Sequence, residues 1–192
     1  MKKMTGLMFT FAALLVLIFA CSPFDDENDF LIESLDDGAA VRITEYIGSK
    51  QIVSIPPRIQ STVVTWIGDY AFNDKGLTRV AIPNGVTTIG IEAFARNQLN
   101  SFNIPSTVYL IMPGAFAENQ ISSITIPPTV VAVYGTAFAL NPLTSITIGA
   151  NLRLTNDWRM FFPGFFEAYR DNSSRAGTYI LQDDGTWALS SR

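Results

Sequence analysis

Thr78 to Ala139 reads TRVAIPNGVTTIGIEAFARNQLNSFNIPSTVYLIMPGAFAENQISSITIPPTVVAVYGTAFA, and one pattern occurs in it three times. Val80, Ile82, Pro83, Val86, Ile89, Ala93 and Phe94 make the first copy. Phe102, Ile104, Pro105, Val108, Ile111, Ala115 and Phe116 make the second; Ile124, Ile126, Pro127, Val130, Val133, Ala137 and Phe138 make the third. The step from Phe94 to Phe116 equals the step from Phe116 to Phe138, with no gap between copies. Ala71 and Phe72 lie one equal step upstream, and Leu143, Ile146 and Ile148 open a further copy downstream. A fixed period of about 22 residues marks a solenoid, in which each unit buries its apolar face only against its neighbours. Such an architecture points to binding or scaffolding rather than to chemistry.

Side-chain alternation along a strand puts Val80 and Ile82 on the inner side and Arg79 and Ala81 on the outer side. The following Pro cannot donate to a strand ladder, so it ends the strand and begins a corner. Val86 and Ile89 return to the interior on a second side, and Ala93 and Phe94 close the coil. The rings of Phe72, Phe94, Phe116 and Phe138 are therefore expected to stack as a spine along the axis. Asn97, Asn119 and Asn141 share one phase and suit corner hydrogen bonds to backbone, while Lys75 interrupts that column upstream. Before the repeats, Ile43, Tyr46, Ile52, Val53 and Ile55 read as two short strands about a turn at Gly48-Ser49-Lys50. Ile55-Pro56 matches the repeat, but Val64, Trp66 and Ile67 arrive late, which predicts an insertion in the first coil.

The units resemble the leucine-rich repeats of the BspA-type bacterial surface-antigen family, on the strand, Ile-Pro, Val-x-x-Ile-Gly and Ala-Phe elements just named. Gly68 and Gly90 keep the glycine of that pattern; Met112 and Tyr134 depart from it, and the Cys that often follows Ala-Phe is absent. The resemblance implies a β-rich solenoid, a right-handed leucine-rich-repeat coil of about four to five units over 41–150. It also implies an exported or cell-surface protein, with adhesins for host proteins among its relatives, and it brings no catalytic residues.

Beyond Ile148 the repeat dissolves, and 151–192 is rich in large rings: Trp158, Phe161, Phe162, Phe165, Phe166, Tyr169, Tyr179 and Trp187. Open solenoid ends expose apolar interior and strand edges, so this stretch reads as a C-terminal cap. Phe165, Phe166 and Tyr169 fit one face of a short helix after Pro163-Gly164. Tyr179-Ile180-Leu181 and Trp187-Ala188-Leu189 flank Asp184-Gly185 as a β-hairpin. An aromatic sugar-binding platform is the rival reading of these rings.

At the other end, Lys2 and Lys3 precede an apolar run from Leu7 to Ala20 broken only by Thr10. At 1.5 Å per residue this run spans about 21 Å, short of a bilayer core of about 30 Å, and reads as a signal peptide. Ile18-Phe19-Ala20-Cys21 resembles a bacterial lipobox, which implies a lipid-modified Cys21 after removal of 1–20. An ordinary signal peptide leaving a free thiol is the alternative. Two or more acyl chains suffice for stable membrane attachment. The boundaries read from sequence are thus a signal segment over 1–21, an acidic tether over 22–40, the solenoid over 41–150 and the cap over 151–192. The tether reading rests on Asp25, Asp26, Glu27, Asp29, Glu33, Asp36 and Asp37 standing against no Lys or Arg.

The 192 residues contain no His, which removes the commonest general base and metal ligand, and a single Cys, which excludes a disulfide framework. Net charge is −4, with no basic patch for nucleic acid. No cofactor, metal or small-molecule substrate is expected, and no enzyme activity. The surface left for contact is the outer side of the stacked strands, with columns Arg79, Ser101, Ser123, Ser145 and Ala81, Asn103, Thr125, Thr147. Five strands about 4.8 Å apart span only about 20 Å, so one copy offers little affinity and a membrane-borne array adds avidity. A protein partner, with host matrix proteins as the candidate class, is one expectation, and outer-membrane or cell-surface display goes with it. A periplasm-facing structural lipoprotein without a soluble partner is the other.

Overall fold

The computed structural model describes residues 23–150, 152–155 and 158–190. The signal segment and Cys21 lie outside the described residues.

The fold begins earlier than the sequence suggests. Asp26 caps a 3-10 turn over Glu27–Asp29 by accepting the Asn28 N–H. Strand β1 (Phe30–Leu35) then pairs antiparallel with β2 (Ala40–Tyr46), from Phe30 opposite Tyr46 to Leu35 opposite Ala40. The acidic tether expected over 22–40 is therefore corrected: residues 24–40 are a strand, a turn and a latch. Partners distant in sequence make this possible. Glu33 pairs with Arg42, Asp25 pairs with Lys50, and Asp36 and Asp37 sit at positive φ in the exposed turn. Phe30 and Ile32 turn inward while Leu31 and Glu33 are exposed, and Phe30 is buried against Tyr46 (5.4 Å) and Phe72 (6.2 Å).

After β3 (Ile52–Ser54), strands β4 (Arg58–Ile59) and β5 (Thr62–Ile67) form a tight hairpin with Gln60 and Ser61 both at positive φ. This hairpin is the insertion anticipated in the first coil. The repeats then contribute β6 (Arg79–Ala81), β7 (Thr88–Ile89), β8 (Leu110–Ile111), β9 (Ser123–Thr125), β10 (Ala132–Val133), β11 (Ser145–Ile148) and β12 (Arg153–Leu154). One side of the coil is the continuous parallel stack β2-β5-β7-β8-β10-β12, with the repeat phase kept from Thr88 to Leu110 to Ala132. On the other side run β3-β6 and, separately, β9-β11.

A third ladder has no strand geometry but stacks the Ala-Phe corners. The amide of Phe72 donates to Ala93 O (2.8 Å), that of Phe94 to Ala115 O (2.8 Å) and that of Phe116 to Ala137 O (2.7 Å). Small alanines let these backbones close up, and the four Phe rings, all 0% exposed, stack at 4.9, 5.3 and 5.6 Å with near-parallel planes. Full burial of each ring contributes about 1.5–3 kcal/mol. Tyr46 extends the spine at one end (5.4 Å from Phe72) and Trp158 at the other (6.4 Å from Phe138).

The asparagines act as brackets between coils. Asn119 Nδ2 donates to the carbonyls of Phe94 (2.9 Å), Phe116 (3.1 Å) and Ala117 (3.1 Å), and its Oδ1 accepts from Leu99 N–H (3.0 Å). Asn97 and Asn141 repeat the arrangement. At the Lys75 phase the column stops, and the Lys75 side chain turns outward to Glu45 at 3.1 Å. Gly90 answers to close approach: a Cβ there would lie 2.8 Å from the Asp69 nitrogen.

The cap is built from α1 (Trp158–Phe161), α2 (Pro163–Asp171) and the hairpin β13 (Gly177–Leu181) with β14 (Trp187–Leu189). Trp158 covers the last Phe and donates Nε1–H to Val133 O (2.9 Å). Phe165 packs on Trp158 (5.4 Å), Tyr179 (5.6 Å) and Trp187 (5.5 Å). The Tyr169 hydroxyl donates to Gly149 O and accepts from Leu152 N–H, both at 2.9 Å, tying helix to coil. The turn is wider than the expected pair: Gly185 N–H returns to Gln182 O (2.9 Å), with Gly185 at φ +81°. Trp158, Phe162, Phe165, Tyr169 and Tyr179 are buried in this packing and so closed to a ligand, while Phe161 stays exposed.

Candidate interaction surface

The outer side of the strands carries the columns read from sequence. Arg79, Ala81, Ser101, Asn103, Ser123 and Thr125 are exposed, while Val80, Ile124 and Ile126 point inward and are buried. Ser145 and Thr147 are only half-buried, because β13 lies antiparallel against β11 and Thr147 Oγ1 meets Thr178 Oγ1 at 2.8 Å. The cap hairpin thus adds strands to this face as well as sealing the end. Ile180 and Ala188 continue it on one flank, and Ile52, opposite Arg79, continues it on the other. The alternation within Thr178-Tyr179-Ile180, with Tyr179 buried and Ile180 exposed, carries that signal in the sequence.

The five-strand sheet expected here is not continuous. Residues 101–104 form no strand, and β6 and β9 belong to different sheets. Phe102 occupies the phase held by Val80 and Ile124, and its ring stacks on Phe116 with centroids 4.2 Å apart. The ring thus stands where neighbouring units place a branched aliphatic side chain, and its segment pairs with neither β6 nor β9. Clefts of about 390 Å³ and 530 Å³ open on the two flanks of this segment, the first beside Arg79 and Ala81, the second beside Ser123 and Thr125. Among the described residues, Arg79 makes no ion pair and is the single charge in these columns.

Elsewhere charge is arranged for structure. Arg96 sits between Glu92 (3.1 Å), Glu118 (3.8 Å) and the Asn73 side chain (2.9 Å), stapling successive corners. The hydrogen bond that the Lys50 ammonium donates to Asp25, together with that carboxylate's charge, holds the ammonium above its ordinary value. Burial pushes the phenols of Tyr46, Tyr169 and Tyr179 up. Among the described residues no group of three or more His, Cys, Asp or Glu is placed to hold a metal, and no helix is long and apolar enough to cross a membrane.

A family model described as a BspA type leucine rich repeat region matches residues 55–161 in six copies. No curated protein matches the chain. Among solved structures, a leucine rich repeat protein of T. pallidum is 19% identical, with a TM-score of 0.49, over 65% of this chain and 71% of that one. One from Bacteroides ovatus is 22% identical, TM-score 0.46, over 62% of this chain and 40% of that one. Another, from Bacteroides capillosus, is 20% identical, TM-score 0.40, over 71% and 90%. With the family model covering more than half of its length, this chain belongs to the BspA-type leucine-rich repeat family.

Proposed function

We propose that this protein is a non-enzymatic interaction module, held on a membrane by lipid at Cys21, displayed at the outer membrane or cell surface, and acting as an adhesin for host matrix proteins. The observation that carries the binding reading is the strand face itself. Its outward columns are small and mostly hydroxyl-bearing, exposed from Arg79 to Thr125 and half-buried at Ser145 and Thr147, while the repeated Phe and Asn columns are consumed in packing and bracketing. Arg79, Ala81, Ser101, Asn103, Ser123, Thr125, Ser145 and Thr147 are the residues assigned to contact. The enlarged face, counted from β3 to β14, runs seven strand positions, about 29 Å by about 10 Å. That remains below the ~800 Å² per partner of a standard interface, so retention depends on density of display.

Fractionation and surface proteolysis test the display. Cys21→Ala is expected to leave the membrane fraction and to lose labelling by a fatty-acid analogue. Protease added to intact cells is expected to degrade the wild-type protein. Unchanged partitioning of the variant contradicts the anchor; full protection on intact cells contradicts surface display and favours the periplasm-facing structural role.

A further inference from the structure

We propose that a lipid headgroup surface is the docking partner of the N-terminal end of the solenoid, which sits directly on the membrane instead of hanging from a spacer. The proposal rests on the lipid anchor at Cys21 put forward above and deepens it. Its own evidence is the place where the fold begins. Asp25 N–H donates to Ser54 O (2.9 Å), Asp25 Oδ2 accepts from Ser54 N–H (2.6 Å), and Asp25 Oδ1 accepts from Lys50 Nζ. These bonds fix Asp25 to the edge of β3, the first strand of its side of the coil. One residue further, Asp26 caps the turn that leads straight into β1.

Four residue steps separate Cys21 from Asp25. At no more than about 3.6 Å each, they keep the latch within about 14 Å of the lipidated residue. A spacer over 22–40 would instead hold the coil at a root-mean-square distance of about 24 Å and allow about 68 Å when extended. The short link leaves the coil no room to turn end over end, so the end bearing Phe24, Lys50, Pro56, Pro57 and Arg58 faces the lipid. These residues line one groove, and Phe24 is 39% exposed beside the exit toward Cys21. An exposed aromatic ring suits a headgroup interface; with Lys50 bonded to Asp25 and Arg58 donating to Ser61 O, the exposed carboxylates of Asp26 and Glu27 leave this lining better matched to zwitterionic than to anionic lipid. The C-terminal cap is then the outermost part of the molecule, and the strand face stands along the membrane normal.

The test uses the full lipidated chain, purified from membranes and reconstituted in phosphatidylcholine–phosphatidylethanolamine vesicles containing a nitroxide-headgroup lipid. Cys21 is blocked by its thioether, so an introduced cysteine is the single thiol available for a fluorophore. Ser49→Cys, exposed at the near end but outside the groove, and Asp183→Cys in the cap hairpin are labelled in separate preparations. Docking predicts quenching several-fold stronger at position 49 than at 183. It also predicts that a Gly-Ser insert of about twenty residues between Ser22 and Pro23 abolishes the difference without releasing the protein. Equal quenching at the two positions in a lipidated chain, or quenching unmoved by the insert, overturns the docking and leaves the anchor standing. A chain that incorporates no fatty acid overturns the anchor and the docking together.

Discussion

Phe102 stacks on Phe116 at 4.2 Å, and this contact marks the place where the outer strand ladder is interrupted. The ring stands where neighbouring coils carry Val80 and Ile124, so the segment 101–104 trades sheet pairing for an aromatic contact. Phe102→Ile is expected to draw the segment into the ladder between β6 and β9. Amide exchange at 101–104 should slow by about tenfold, the value of one modest hydrogen bond. Exchange left as fast as in the wild type would show that the ring does not cause the break.

The spine is the main source of cohesion between coils. Phe116 touches Phe94, Phe102 and Phe138 and is fully buried, so Phe116→Ala should cost about 3–5 kcal/mol. Ser123→Ala on the outer face should change stability by no more than about 0.5 kcal/mol. Urea titrations of both variants check this, and similar midpoints would mean that inside and outside have been misassigned.

The bracket asparagines make a separate contribution. Asn119→Ala strips an acceptor from the Leu99 N–H and a donor from three carbonyls in a region closed to solvent. With an unsatisfied buried group costing about 1–3 kcal/mol, a loss of about 3 kcal/mol is expected. Lys75→Ala, at the same phase but outside the column, should lose less than about 1 kcal/mol with its exposed ion pair. Equal losses from the two would remove the brackets from the account.

Alkali should unfold the protein through its buried phenols. Burial raises the folded values of Tyr46, Tyr169 and Tyr179, so each favours a native state that keeps the proton. That stabilisation is complete below the ordinary phenol value of about 10 and disappears as pH rises through the higher folded values. Lys50, raised by Asp25, acts in the same sense. A melting temperature that falls from about pH 10 upward, together with late tyrosine ionisation followed by ultraviolet absorbance, is the expected outcome. Tyrosines that titrate at the ordinary value with no loss of stability would contradict their burial.

The constant repeat period made the coil, the Phe spine and the Asn column legible, because each is repeated and a repeated residue declares its environment. Features outside the period were harder to read. Phe30 and Ile32 share the inner side of a strand, but Glu33 and Asp25 find Arg42 and Lys50 only after folding, so local charge density points to a tether. Trp158 takes over the spine after Phe138 but arrives ahead of the phase that Phe94, Phe116 and Phe138 keep, and so looked like one more cap ring. For the candidate surface, alternation located Arg79, Ala81, Ser123 and Thr125 on the exposed side. It did not foresee that Phe102 would divide the sheet or that Thr178 and Ile180 would join it.

The central claim is that the strand face holds the partner, and bead capture tests it most directly. The ectodomain from residue 22 onward is immobilised at low and high density and offered host matrix proteins, alongside a variant carrying Asn103→Glu and Ser123→Lys. Both side chains point outward, so the variant should melt with the wild type. The account predicts retention on dense beads, little on sparse ones, and loss of retention in the variant. Retention equal in wild type and variant, or none on dense wild-type beads, would contradict it.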